Sequence, residues 1–473
     1  MTVLTDLRRR VDELMPLAHE ELAELVSIPS VADPRQYPPE ECQKAAHWVK
    51  ERFKALGFDD ARLVETTDGS NAVVGSRPCA DPGAPTVLLY AHYDVQPPLD
   101  EKAWRTPPFE LTEVDGRWFG RGACDCKANI LMHLTALRAL DGDIPVHLKL
   151  VVEGSEEQGT GGLEGLVPQQ PDLFAADVIL VCDTGNAAVG QPAVTVSLRG
   201  MVNVVVTVQA LRSELHSGMF GGAAPDALAA LVTMLASLRD EKGNTSIRGL
   251  DATREWPGAP YDAVQFASDA GVLDGVHLLG DGTVSDMLWA RPAVTILGID
   301  CPPVVGSASA INPQAAARLN LRIPPGTDPG QAEAALRAHL LATAPWGVHA
   351  DVTLEAAGAP FRATVDGPAY RAIAEAMQDA YGTPMTTLGQ GGSIPLCNVF
   401  ADTYPDAEII LMGTEEPQAL IHAPNESVDP REIAAMALTE ASFLRRYAAG
   451  SLSRAPRERP RVRPRRQGRG RCC

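Results

Sequence analysis

The order of apolar and polar positions along this 473-residue chain predicts an α/β architecture. After two helical segments, short continuous apolar runs alternate with further helical segments. The apolar runs are NAVVGS, TVLLYAHYD, HLKLVVEG and DVILVCD, and the helical segment ANILMHLTALRAL lies between the second and the third. Strands that are apolar on both faces and separated by helices are typical of a mostly parallel sheet covered by helices. We therefore predict that residues 1–196 form such a domain.

Near Ser197 the pattern changes to alternating apolar and polar positions, and AVTVSLRGMVNVVVTVQA predicts one long strand. The segments that follow give the order βαββαβ, which is that of a ferredoxin-like split unit. We predict an inserted α+β domain at 197–358, after which the first domain resumes at 359–449. Residues 450–473 are rich in Arg and Pro, which predicts a disordered tail. We interpret this tail as a solvated extension or an out-of-frame terminus, with a nucleic-acid-binding arm as the less favoured alternative.

Composition narrows the classes of partner. The net charge is −19 and the sequence pI is near 5.0, which disfavours nucleic acid and anionic membranes as main partners. Nine cysteines are scattered without the spacing of a disulfide framework, so reduced thiols are expected. No window approaches the roughly 18 apolar residues of a membrane span. These features predict a cytoplasmic protein without membrane or nucleic-acid partners.

Acidic and histidine residues follow four of the predicted strands. They are His92 and Asp94, Glu156 and Glu157, Asp183, and His422. Ligands in open α/β sheets bind at the carboxyl ends of the strands, so we expect these side chains to converge. Imidazole and carboxylate groups suit a divalent zinc ion. Each residue alone could be a helix cap, a core residue or a solvated side chain, but their conjunction favours a metal site.

Seven segments carry a resemblance to a known family. They are YAHYDVQP, GRGACDCKAN, EGSEEQGTGG, VCDTG, SELHSGMFGG, GGSIP and IHAPNE. Their order and spacing resemble the co-catalytic metallopeptidase family of carnosine dipeptidases, glutamate carboxypeptidase, aminoacylase and succinyl-diaminopimelate desuccinylase. The segment LLGDGTVSDMLWARPAVTILGID is most similar to the dipeptidase branch. The resemblance implies a zinc-peptidase-like catalytic domain, and a lid and dimerisation role for the inserted domain.

The resemblance also implies two Zn²⁺ ions per subunit, for which Mn²⁺ or Co²⁺ are possible substitutes. The implied ligands are His92, Asp125 and Asp183 for one ion, and Asp125, Glu157 and His422 for the other. Asp125 would bridge the ions, Asp94 would orient His92, and Glu156 would be the general base. A non-proline cis peptide is expected between Asp125 and Cys126. The cysteines 124, 126 and 182 are expected to be packing residues rather than soft zinc ligands.

For the substrate, the resemblance implies that His216 of a neighbouring subunit supports the tetrahedral oxyanion. Arg322 would pair with a terminal carboxylate, a task that suits a planar bidentate donor. Ser393 and the main chain of Gly391 and Gly392 would support the same carboxylate. Gly389 and Gln390 stand where arginine and glutamate are common in dipeptidases, so the preferred dipeptide stays open.

These inferences predict a homodimeric hydrolase that cleaves the amide bond of dipeptides or similar small substrates with a free carboxylate. An N-acyl-amino-acid deacylase or desuccinylase of the same family is the alternative among enzymes, because the same metals serve both reactions. A non-catalytic binding protein on the same fold is the alternative from another class.

Overall fold

The computed structural model describes residues 3–392 and 394–452. Its α-helices are α1 Val3–Val26, α2 Pro39–Lys54, α3 Lys127–Ala139, α4 Gly162–Leu166, α5 Pro171–Phe174, α6 Ser217–Phe220, α7 Ala227–Ala236, α8 Ala263–Asp269, α9 Pro329–Thr343, α10 Pro368–Tyr381, α11 Pro395–Thr403 and α12 Pro430–Leu452. Its strands are β1 Arg62–Glu65, β2 Asn71–Arg77, β3 Thr86–His92, β4 Thr112–Val114, β5 Arg117–Phe119, β6 His147–Glu153, β7 Val178–Cys182, β8 Ala193–Leu198, β9 Gly200–Gln209, β10 Leu215–His216, β11 Ala293–Asp300, β12 Ala310–Ile311, β13 Gln314–Ile323, β14 His349–Gly358, β15 Phe361–Arg362, β16 Thr386–Gln390, β17 Glu408–Met412 and β18 Ser427–Val428.

The chain divides into two compact units. The first comprises Met1–Val196, Ala363–Leu388 and the chain from Pro395 onward, and the second comprises Ser197–Arg362 and Gly389–Ile394. We predicted a disordered tail from residue 450, and its part from residue 453 onward lies outside the described residues. Residues 450–452 continue helix α12, which differs from that prediction. Among the described helices, none has both the length and the apolar character needed to span a membrane.

The first unit is built on a mixed sheet with strand order β1-β2-β6-β3-β7-β17-β8. The three pairings at its centre, β6 with β3, β3 with β7 and β7 with β17, are parallel. The pairings on either side of this centre are antiparallel. The predicted parallel sheet is therefore confirmed for the centre, where strands such as β7 are buried along their whole length.

Helices cover the central strands because their apolar residues need partners on both faces of the sheet. Helix α3 is buried at every position except Arg138, and α1 and α12 pack against it. A fully buried leucine or valine contributes about 1.5 to 3 kcal/mol relative to an exposed one, so this shared core dominates the stability of the unit. The core fixes the strand ends from which the site residues extend.

The second unit contains an antiparallel sheet with strand order β11-β13-β9-β14. With α7 after β9 and α9 after β13, the chain order and the strand order are those of the predicted ferredoxin-like unit, which is thereby confirmed. Burial along β9 alternates strictly, and its inward residues pack with α7 and α9. The inward residues are Val202, Val204, Val206 and Val208.

One strand prediction is wrong. The segment predicted as a single strand from residue 193 forms two strands, β8 and β9, which belong to different sheets. The chain changes sheets at Gly200, where a Cβ atom would lie 2.4 Å from the main-chain oxygen of Gly358. A residue with a side chain cannot accept so close an approach, so glycine permits the change of sheet.

Candidate active site

Four strands of the first unit end at one edge with chemically active side chains. His92 is the last residue of β3, and Asp183 directly follows β7, which runs parallel to it. Strand β6 leads to a 3₁₀ turn at Glu156–Gln158. His422 lies in the loop after β17. Because these strands are parallel neighbours, their carboxyl ends meet, as predicted.

Five side chains come together there, and we call them the ligand cluster. They are His92, Asp125, Glu157, Asp183 and His422. Nε2 of His92 lies 3.0 Å from Oδ1 of Asp125 and 3.1 Å from Oδ1 of Asp183. Nε2 of His422 lies 3.0 Å from Oδ2 of Asp125 and 3.2 Å from Oε2 of Glu157. Asp125 thus faces two histidines with two different oxygens.

The spacing of these atoms fits metal ligation. Atoms that share one zinc ion at about 2.0 to 2.2 Å in tetrahedral geometry lie about 3.3 to 3.6 Å from one another. The four separations above, 3.0 to 3.2 Å, are a few tenths of an ångström shorter, so small side-chain shifts would admit a cation between each pair. The donor types, imidazole nitrogen and carboxylate oxygen, are those that a divalent zinc ion accepts.

The electrostatics of the ligand cluster also favour cations. Hydrogen bonds with the carboxylates of Asp125 and Glu157 raise the pKa of His422 to about 11. Burial acts to raise the pKa of Asp125, but its hydrogen bonds with the two histidines outweigh burial and hold that pKa below its ordinary value. A potential that stabilises imidazolium at this position also stabilises a metal cation.

Asp94 holds the turn that carries the two glutamates. Its Oδ1 accepts a hydrogen bond from the main-chain N–H of Glu156 at 3.2 Å, and its Oδ2 accepts one from Glu157 at 3.0 Å. Nδ1 of His92 lies 3.0 Å from the main-chain oxygen of Asp94 and 3.5 Å from its carboxylate. Asp94 therefore contacts His92 as expected, and it also positions Glu156, a contact that the sequence did not indicate.

Glu156 lies next to the ligand cluster but takes part in none of the four short contacts described above. Burial raises the pKa of its carboxyl well above the ordinary value, and the charge of Asp183 raises it further. Gln96, which the sequence analysis did not single out, donates from Nε2 to Oε2 of Glu157 at 2.7 Å. The two adjacent glutamates therefore have different environments, one within the cluster and one beside it.

Glu426 fixes the loop that carries Asp125. Its carboxylate accepts hydrogen bonds from the main-chain N–H groups of Gly122, Cys124 and Asp125, each at 3.0 Å, and from Nη1 of Arg121 at 2.6 Å. Its side chain is fully buried. Glu426 belongs to the quoted segment IHAPNE, but nothing in the sequence indicated that it contacts a loop about 300 positions earlier.

The backbone at both ends of the ligand cluster has unusual conformations. The Asp125–Cys126 peptide is cis, which confirms the expectation. Leu420, His422 and Asn425 have positive φ angles of 53°, 63° and 70°. Such angles are unfavourable for residues other than glycine and concentrate at functional sites. Asn425 fixes this loop, because its side chain bonds the main chain of residues 103 and 105.

The cysteines beside the ligand cluster pack in the core. All the described cysteines are free, and those at 124, 126 and 182 are buried. Sγ of Cys126 lies within 4.8 Å of a side-chain nitrogen of His92 and a carboxylate oxygen of Asp183, but it donates a hydrogen bond to the main-chain oxygen of Cys182 at 3.0 Å. Burial raises the pKa of the Cys126 thiol well above its ordinary value, which disfavours the thiolate that zinc binds.

The remaining predicted residues belong to the second unit. His216 ends strand β10 and is exposed, while Arg322 lies in β13, and Gly391 and Gly392 lie in the short segment that joins this unit. Ser393 lies outside the described residues. Their predicted contacts with substrate therefore stay predictions.

Arg199 is an additional candidate in the second unit. A Cβ atom on Gly391 would lie 2.7 Å from Nη2 of Arg199. Burial and, to a smaller extent, the charge of Arg322 lower the pKa of Arg199 to about 10. Within the described part of the chain neither arginine has a carboxylate partner. Two neighbouring guanidinium groups without counter-charge form a candidate anion site.

The fold and the ligand cluster define the class of protein as a metallopeptidase, and comparisons with known proteins agree. The sequence pattern described as Peptidase family M20/M25/M40 matches residues 88–446, and the chain belongs to this family. It is 44% identical to the cysteinylglycine-S-conjugate dipeptidase of Corynebacterium striatum, over 90% of this chain and 95% of that protein. It is 30% identical to the Beta-Ala-His dipeptidase of Rattus norvegicus, over 74% of each chain. The crystal structure of human carnosine dipeptidase 1 superposes with a TM-score of 0.78 at 25% identity, covering 94% of this chain and 99% of that one.

Proposed function

We propose that this protein is a dipeptidase that uses two Zn²⁺ ions per subunit to hydrolyse the amide bond of dipeptides with a free carboxylate. The position of Asp125 carries the proposal, because its two oxygens face His92 and His422 separately at 3.0 Å each. A carboxylate in this position suits the bridge of a two-metal hydrolase. Mn²⁺ or Co²⁺ would be accepted by the same oxygen and nitrogen donors.

Three ligand carboxylates balance most of the charge of two divalent cations, which explains how adjacent acidic residues persist at Glu156 and Glu157. When bound, such a pair of cations acidifies a water molecule and polarises the amide carbonyl. Glu156 accepts the proton of the attacking water and returns it to the leaving amine. Burial and the charge of Asp183 raise the pKa of Glu156 when no cation is bound, and two bound cations would lower it again, so that Glu156 is ionised when it accepts the proton. Asp94 fixes the main chain of Glu156 through its N–H.

The substrate carboxylate is assigned to the second unit. Arg322 pairs with it, and Arg199 adds a second positive charge, which the absence of an internal counter-charge among the described residues supports. Gly391 and Gly392 offer main-chain N–H groups, and Ser393 a hydroxyl. His216 of a partner subunit donates a hydrogen bond to the oxyanion of the tetrahedral intermediate.

The names of the relatives indicate which dipeptides to test first. The relative that is 44% identical is named for cysteinylglycine S-conjugates, and the rat relative for Beta-Ala-His. The higher identity and fuller coverage of the first make cysteinylglycine and its S-conjugates the leading candidates for this chain.

A homodimer through the second unit is part of the proposal. Strand β11 lies at the edge of its sheet and exposes three apolar side chains, Ile296, Leu297 and Ile299, which are 41 to 50% exposed. An exposed apolar edge strand needs a cover to prevent non-specific pairing. A second copy of the chain would supply this cover, and a dimeric mass in sedimentation experiments is expected. Cytoplasmic localisation stays a prediction.

The decisive experiment is a substrate panel with the zinc-loaded protein. Cysteinylglycine, its S-conjugates and Beta-Ala-His are compared with N-acetyl and N-succinyl amino acids. Release of free amino acids from dipeptides alone is the expected result. Turnover of the acylated amino acids without turnover of any dipeptide would instead assign a deacylase. A chain that binds no metal and turns over neither class would be a binding protein.

A further inference from the structure

Two adjacent glutamates after strand β17 have opposite environments. The carboxylate of Glu416 accepts hydrogen bonds from Nη2 of Arg117 at 2.5 Å and from the N–H of Gln418 at 2.8 Å. The side chain of Glu415 is also buried, at 6% exposure. Its carboxylate has no hydrogen bond or ion pair among residues 3–392 and 394–452. An isolated buried carboxylate is costly, so Glu415 requires a partner that the described residues do not provide.

The carboxylate of Glu415 points at the ligand cluster. Asp125, Asp183 and Glu415 each offer one oxygen atom, and these three atoms lie within 4.8 Å of one another. Two of the three residues are ligand candidates already, and Asp125 is the candidate bridge. Three carboxylate oxygens at this spacing repel one another unless a cation lies among them.

The main chain holds Glu415 in this position from both sides. The N–H of Thr414 donates to Oδ1 of Asn129 at 3.0 Å, and the N–H of Asn186 donates to the main-chain oxygen of Glu415 at 2.8 Å. Gly185 permits this approach, because a Cβ atom there would lie 2.1 Å from that oxygen. Glu415 is therefore held by segments that directly follow Asp125 and Asp183.

We propose that Glu415 is a sixth ligand of the metal centre, in addition to the five residues of the ligand cluster. Its carboxylate would help bind the cation held by His92, Asp125 and Asp183. This inference rests on the proposed function, since it requires the metal pair. The negative charge of Glu415 strengthens the binding of that cation and has little effect on the cation held by Glu157 and His422.

The test compares Zn²⁺ binding by the full chain and two matched variants, Glu415→Gln and Glu416→Gln. Each protein is stripped with a chelator and titrated with Zn²⁺ against a chromophoric chelator, and bound zinc is counted by mass spectrometry. We expect two zinc ions in the wild type, with one of them bound at least about tenfold more weakly in Glu415→Gln. The Glu416→Gln variant should keep both affinities, because Glu416 pairs with Arg117.

Unchanged affinities in Glu415→Gln, or equal weakening in both variants, would overturn the inference while leaving the two-metal proposal intact. A wild-type chain with fewer than two zinc ions would instead overturn the proposed function and this inference with it. If Glu415→Gln is not recovered folded, the visible spectrum of bound Co²⁺ in Glu415→Asp decides. A spectrum identical to that of the wild type contradicts the inference, and a changed one supports it.

Discussion

The two compact units differ in the partners that their clustered charged side chains have. In the first unit, carboxylates cluster around histidines, and their main-chain N–H groups donate hydrogen bonds to the carboxylates of Asp94 and Glu426, which hold them in place. In the second unit, Arg199 and Arg322 lie close together without a carboxylate partner among the described residues. The first arrangement is pre-organised for cations, and the second is prepared for an anion from outside the chain. We propose that the contrast reflects a division of roles, with catalysis in the first unit and substrate recognition in the second.

The largest expected effect comes from a pair of substitutions that distinguishes the general base from a metal ligand in the first unit. Replacing Glu156 by Gln should reduce kcat by about 10² to 10⁴-fold, because the proton acceptor is lost, while zinc content stays unchanged. The matched variant Glu157→Gln should lose zinc as well as activity, because Glu157 lies 3.2 Å from His422 within the ligand cluster. Steady-state kinetics and metal analysis of both variants test this. Wild-type turnover by Glu156→Gln would remove Glu156 from the role of base.

The pre-organisation of the first unit can be broken at Glu426. Glu426→Gln leaves the buried Arg121 without its counter-charge, at a cost of about 3 to 5 kcal/mol of unfolding free energy. The exposed pair of Arg9 and Glu13 provides the control, and Glu13→Gln should leave the free energy of unfolding unchanged within experimental error. Urea denaturation of both variants gives the comparison. Equal stability of Glu426→Gln and wild type would show that the loop of Asp125 is held by other contacts.

The proposed role of the second unit in substrate recognition is tested with a substrate that lacks the carboxylate. Arg322→Gln should lower kcat/KM for a dipeptide by about 10 to 100-fold, because a charge-assisted hydrogen bond is worth about 1.5 to 3 kcal/mol. For the corresponding dipeptide amide the variant and the wild type should be similar. Arg318 on the same strand is exposed and pairs with Glu355, so Arg318→Gln is the matched control. Equal losses on both substrates would assign Arg322 a structural role.

The most gradual effect, spread over several pH units, concerns a buried carboxyl of the first unit. Burial raises the pKa of Glu153 from 4.5 to about 8, and Tyr90 donates a hydrogen bond to it. Because the pKa of Glu153 is higher in the folded than in the unfolded protein, its protonated carboxyl contributes fully to stability below about pH 4.5. This contribution is lost as the pH rises through about 8. Between these values the wild type should lose up to about 1.4 kcal/mol of stability per pH unit relative to Glu153→Gln. Parallel pH profiles in denaturant unfolding would contradict this assignment.

The sequence predicted the parts of the molecule that depend on local pattern. Strand ends followed by His92, Asp183 and the two glutamates could be recognised, because parallel strands bring their carboxyl ends together. The contacts of Glu426 and Glu415 could not, since each depends on a main-chain approach between segments far apart in sequence. The change of sheet at Gly200 was missed for the same reason, because alternation continues through it.

The central claim is that Asp125 bridges two cations. Crystals of the zinc-loaded protein, measured at the zinc absorption edge, test it directly through anomalous scattering. The account predicts two peaks on either side of the Asp125 carboxylate, one shared with His92 and Asp183 and the other with Glu157 and His422. A single peak, or two peaks of which neither contacts Asp125, would contradict it.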